Sequence, residues 1–134
     1  MAGWPKLFPQ AAGYHWILAD DPEEELHRVA PHLVHQINEY GTNGAYGPPD
    51  LFQPLAGEDD LRRFGLYELL DADGAARRLV EVAALGYVED VHWWTLFPGE
   101  PIEQADRRLA YVAEAVLPRA RALLAAGSTR RENP

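Results

Sequence analysis

An α/β domain with parallel strands is the fold class this sequence predicts, and three observations predict it. Tyr14 to Ala19 and Val88 to Phe97 are short runs rich in aromatic and branched residues, the pattern of strands buried on both faces. Each run is followed by a helix-start signal and an apolar stripe at helical spacing. The connections carry Gly and Pro rather than further periodic segments. Strands alternating with amphipathic helices imply parallel pairing, because the chain must return to the same end of the sheet.

Residues 1–13, with Gly3, Pro5 and Pro9, read as a leading segment before the first strand. The first helix start is explicit in Asp20-Asp21-Pro22-Glu23-Glu24. An Asp cap, a Pro at the first helical position and acids in the first turn satisfy free amides and complement the helix dipole. Leu26, Val29, Ala30, Leu33, Val34 and Ile37 form one face, Pro31 predicts a kink, and Gly41 predicts the end. From Thr42 to Gly65 the Gly and Pro content predicts a long loop, which in a compact domain is commonly functional. Leu66 to Leu70 leads into a second helix capped by Asp71 or Asp73, with its body at Ala75 to Leu85 and its end at Gly86. After Pro98-Gly99-Glu100-Pro101 the longest helix follows. Ile102, Ala105, Leu109, Val112, Ala113, Val116 and Leu117 lie along one predicted face, and Pro118 predicts a kink or stop. Residues 14–126 thus make one domain and 127–134 a frayed tail.

Composition narrows the function classes. The chain has 134 residues, 47% of them hydrophobic, and a net charge of -9 from 21 acids against 12 Lys plus Arg. Such a charge disfavours nucleic acid and anionic membranes as partners. Arg130 and Arg131 read as a solvated basic pair. The absence of cysteine removes disulfides, thiolate metal sites and cysteine nucleophiles. Neither a membrane span nor a leader is expected, so a soluble cytoplasmic protein is. No phosphate loop, dinucleotide fingerprint or nucleophile elbow occurs.

Two predicted strands are too few for a stable parallel sheet, and three stretches suggest what the whole would be. They are Ile17 to Glu24 with Pro31-His32-Leu33 and Tyr40, then Leu66 to Leu70, then Leu96 to Pro101 with Ala113 to Arg119. In this order and separation they resemble the C-terminal third of luciferase-like flavin-dependent oxidoreductases and monooxygenases. The resemblance spans residues 14 to 121. It implies a partial (β/α)8 TIM barrel, the last strand-helix units of a ring that needs about 200 residues or more. It also implies FMN or the deazaflavin F420 as cofactor and a small organic molecule as substrate. The early strands and much of the flavin site would come from outside this chain, through a homo-oligomer or a complementing N-terminal chain. A non-enzymatic barrel fragment needing a partner chain, or a compact α+β ligand-binding domain, are the alternatives.

Candidate site residues follow from position. His92 lies in the last strand beside Trp93 and Trp94, and the carboxyl ends of barrel strands hold active sites. There a histidine can hydrogen-bond or transfer a proton and an aromatic can stack, although both also make ordinary core residues. Asp20 ends the first strand and faces either the mouth or the helix start. Tyr40, Tyr46 and Phe52 line a pocket or anchor the loop. His32 and His35, three apart on a helix, lack the further ligand that a metal site requires, so no metal site is expected. Glu100 and Glu103 argue against anion binding at the last helix start.

Overall fold

A computed structural model describes residues 11–131, with side chains through 128. The first strand begins earlier than the sequence suggests. Strand β1 spans Ala11–Tyr14, β2 spans Trp16–Leu18, and His15 interrupts them. Of the predicted leading segment, residues 1–10 lie outside the described residues. Helix α1 (Pro22–Thr42) starts as expected, with the Asp21 carboxylate accepting from the Glu24 amide at 3.0 Å. It runs through Pro31 without a break and past Gly41. Gly41 serves close approach instead of termination. A Cβ there would lie 2.3 to 2.4 Å from three ring atoms of Phe52, which only glycine avoids.

The region predicted as a long loop holds two helical pieces, a 3-10 turn at Pro49–Leu51 and helix α2 (Glu58–Phe64). Acids begin α2, Arg62 and Arg63 end it, and Gly65 terminates it at φ 71°. Strand β3 (Glu68–Leu70) occupies the stretch that was expected only to lead into a helix. Helix α3 (Ala72–Ala84) follows, capped by Asp71 on the Gly74 amide at 2.7 Å. Strand β4 is confined to Asp90–Trp93, because the chain then turns and Phe97 enters the core.

Helix α4 (Glu103–Tyr111) passes through a π turn at Val112–Val116 into α5 (Leu117–Arg131). The Leu117 amide donates to Val112 O, five residues back. This wide turn lies just before Pro118, whose ring would clash in a regular helix, and the chain stays helical where a stop was expected. The predicted tail is helical from Gly127 to Arg131. Residues 132–134 and the side chains of Arg130 and Arg131 lie outside the described residues.

All described strand pairing is parallel. β1 pairs with β4, Gly13 opposite His92, and β2 pairs with β3, Ile17 opposite Leu69. The molecule is therefore mixed α/β, with short strands in small sheets. Alternation sends neighbouring strand residues to opposite faces. Trp16 and Leu18 join Ala72, Ala75, Val112 and Val116 in one core, with Tyr14, Val91 and Trp93 packed against it. Ile17 joins Leu26, Val29, Leu33, Ile37 and Phe97 in the other. Helix α3 and the π turn thus cover one face, and α1 covers the Ile17 end of the opposite face. Each fully buried aliphatic side chain here contributes about 1.5–3 kcal/mol relative to exposure.

One face of the last helix differs from expectation. Ala105, Arg108, Val112 and Val116 are buried, whereas Ile102 and Leu109 are 61% and 52% exposed. Rotating the helix this way brings Arg108 onto two glutamates. No described helix is long and apolar enough to cross a membrane.

Candidate functional site

Two depressions form near the carboxyl ends of the parallel strands. The first follows from the β1–β4 register, which sets Gly13 beside His92 on the face that α1 leaves uncovered. His15 and Trp94, each two residues further on, continue that face. With Tyr14 and Trp93 these residues line a cavity of about 360 Å³. Trp94 is 54% exposed, so its ring is available to a planar ligand. Gly13 lets the His92 ring sit close, since a Cβ there would stand 3.0 Å from His92 Nε2 and the ring would have to give by a few tenths of an ångström. The opposite face is filled: Trp16 stacks on Tyr14 at 4.9 Å and meets Trp93 at 5.2 Å. Arg78 caps that cluster over the Tyr14 ring and is bound by Glu68 and Glu81, which raise its pKa further.

His15 carries the tension in this cavity. Its ring meets Tyr67 edge to face at 5.5 Å, and its Nδ1 is buried without a hydrogen-bond partner among the described residues. Burial lowers its pKa and favours the neutral ring. A neutral imidazole can accept or donate one proton, and the surrounding rings exclude water from one side of it.

The second depression, of about 370 Å³, opens where β2 ends and α1 begins. It is lined by Leu18 and Ala19, by the acids Asp20, Asp21 and Glu24, and by Arg28, Arg107 and Tyr111. Beneath it Arg108 bridges two buried carboxylates, reaching Glu25 at 3.0 Å and Glu100 at 2.7 Å. It also donates to Thr95 O at 2.9 Å and lies over the Phe97 ring. Glu25 further binds Arg28 at 2.6 Å and Arg107 at 3.1 Å. Burial alone would raise the pKa of Glu25, but hydrogen bonds from Arg28, Arg108 and Arg107 outweigh it and hold the carboxyl below its usual range. Glu100 behaves alike, with burial opposed by Arg108 and the Phe97 amide. For Arg108 burial works against the charge and the two glutamates win.

Of the sequence candidates, His92 and Trp94 meet in the first cavity. Asp20 lines the second, accepting from the Tyr111 hydroxyl at 3.2 Å. Burial, then that carboxylate, pushes the tyrosine pKa to about 12. Tyr40 joins neither. It sits near the far end of α1, a helix of 21 residues that spans about 30 Å. Tyr46 and Phe52 line a separate hollow of about 560 Å³ with Pro48, Pro54 and Phe64. His32 Nδ1 donates to Pro98 O at 2.7 Å and so holds the turn before α4, while His35 is exposed. Among the described residues no three metal-ligating side chains come together. Glu100, expected to repel anions from a helix start, is instead half of the Arg108 clamp.

Sequence reasoning missed Gly13 and His15, and Glu25, Arg28, Arg107 and Arg108. One signal for Arg108 existed: its spacing from Ala105 and Val112 places it within an apolar stripe. No protein-family model, curated protein or solved structure matches the chain.

Proposed function

We propose that this chain is the C-terminal portion of a luciferase-like, flavin- or F420-dependent oxidoreductase or monooxygenase acting on a small organic substrate. The observation that carries the reading is the uncovered cavity of His15, His92 and Trp94 at the carboxyl ends of parallel strands. Ligands of α/β folds bind at those ends, in barrels and open sheets alike. The aromatic and imidazole lining fits a tricyclic ring system. It offers no cation for a phosphate, so that part of the cofactor would be held by residues outside the cavity. A bound flavin or deazaflavin supplies the redox chemistry. Trp94 would stack on the ring, Gly13 would leave room for the His92 imidazole, and His15 would hold or accept a proton at its edge.

One observation favours a second reading, an interaction module completed by another chain. A (β/α)8 ring orders its strands sequentially, which would set β4 beside β3, whereas β4 here pairs with β1. Among the described residues β3 and β4 each pair on one side only, leaving edges open to further strands. Entry into a complete barrel would require β4 to change partner.

Titration of the folded chain with FMN and with F420, followed by fluorescence and paired with its oligomeric mass, separates the readings. The oxidoreductase reading expects saturable binding that Trp94→Leu weakens roughly tenfold, the scale of one lost aromatic contact. Absence of binding to a demonstrably folded chain would overturn cofactor use by this chain alone and leave the interaction module.

A further inference from the structure

Helix α4, the π turn and α5 bury one side of a continuous rod through Ala105, Arg108, Val112, Val116 and Ala120. A second apolar row on the same rod is left uncovered. Ile102, at the cap of α4, is 61% exposed, Leu109 52% and Leu124 44%. Between them Ala113 is exposed and Leu117 half-buried. We propose that this row pairs with its own copy, as an antiparallel contact between the α4–α5 helices of two molecules about a two-fold axis at Ala113. Neither the aromatic cavity nor the open strand edges enter into it.

The row is palindromic. Its members are separated by seven, four, four and seven residues, so it reads alike from either end. Residues four and seven apart share a helical face, and the wider π turn takes up the drift that repeated steps of four would add. Turning one copy end for end about Ala113 therefore sets Leu109 on Leu117 of the second copy and Ile102 on Leu124. Ala113 meets itself at the axis, where a small side chain lets two helices approach closely. From Ile102 to Leu124 the row spans about 30 Å. Such an isologous contact closes at two copies.

Charge follows the same order. The acids of the rod, Glu103, Asp106 and Glu114, all precede Leu117, and from Leu117 to Arg131 there are four arginines and no acid. Arg107 and Arg108 are spent on Glu25 and Glu100, and Arg119 on Asp73 at 2.8 Å. Asp106 and Arg121 are exposed and form no ion pair among the described residues. End-for-end pairing brings Asp106 against Arg121 of the second copy, once on each side of the axis. A parallel pair would oppose acid to acid. Only Glu114, one residue from the axis, approaches its own copy, and that repulsion keeps the association weak.

Sedimentation of the folded chain over a concentration series tests the pairing. A monomer–dimer equilibrium is expected, and Leu109→Glu should weaken it at least tenfold. Asp106→Arg and Arg121→Asp should each weaken it roughly fivefold, and the double reversal should regain wild-type affinity. The chain has no cysteine, so Ala113→Cys supplies the sole thiol. Oxidised glutathione should link it to its copy, whereas Ile102→Cys, about 30 Å from its own copy, should stay unlinked. All these positions are exposed, so the variants should fold. A monomer at every concentration up to about 100 µM, where a small interface of micromolar affinity is populated, would overturn the pairing. So would a dimer indifferent to Leu109→Glu, a double reversal that regains nothing, or equal linking at both cysteines.

Discussion

The two depressions differ in how their polar groups are satisfied. Under the charged crevice Arg108 bonds two carboxylates, a backbone carbonyl and an aromatic face, and the buried carboxylates are in turn shared with neighbouring arginines. In the aromatic cavity a buried imidazole nitrogen has no bond among the described residues, and a large indole stands open to solvent. The first is a clamp joining α1, α4 and the turn after β4. The second is a surface whose requirements the described chain leaves unmet. Buried charge is tolerated when fully paired, and buried unpaired polarity is a cost that a ligand or partner can relieve.

Breaking the clamp should have the largest effect. Arg108→Met leaves Glu25 and Glu100 buried with fewer counter-charges, and unfolding in urea should show a loss of about 3–5 kcal/mol. Stability unchanged in that variant would mean that the clamp is ornamental.

Acid should act next, and its sign follows from the depressed glutamates. Their contribution is fully present above the unfolded value of about 4.3 and is lost as pH falls through the lower folded values. Wild type should therefore lose stability steeply below about pH 4.3, and Arg108→Met should lose it less steeply. Parallel curves for the two proteins would place the acid sensitivity elsewhere.

His15→Phe sharpens the other side of the comparison with the smallest effect. Removing a buried nitrogen that has no partner among the described residues should leave stability equal or raise it by about 1 kcal/mol. The lowered pKa of His15 makes its protonation unfavourable in the fold, so wild type should weaken mildly as pH falls below about 6.5. Thermal melts of the variant should lack that decline. A destabilised variant would show that His15 makes a bond in solution.

The parts legible in the sequence are those set by neighbours in the chain. Asp21-Pro22 and Asp71 announce their helices because a cap acts over three residues. His92 and Trp94 were singled out from strand position alone. Strand β3 escaped because three residues cannot display a period, and α2 because Gly57 offers no side-chain cap. The remaining site residues depend on distant pairing. Nothing near Gly13 reveals His92 opposite it, and nothing near Arg108 reveals Glu25, far back in the chain.

The β1–β4 pairing also bears on the order of assembly. Ala11 must find Asp90 across about two thirds of the described chain, whereas α1, α2 and α3 form from local contacts. Non-local parallel pairing is slow, and a strand held along one side opens most readily. The aromatic cavity would thus be the last feature completed during folding and the first to breathe open afterwards. Amide exchange would be expected to run faster at Val91 and His92 than at Val29 and Leu33 in α1.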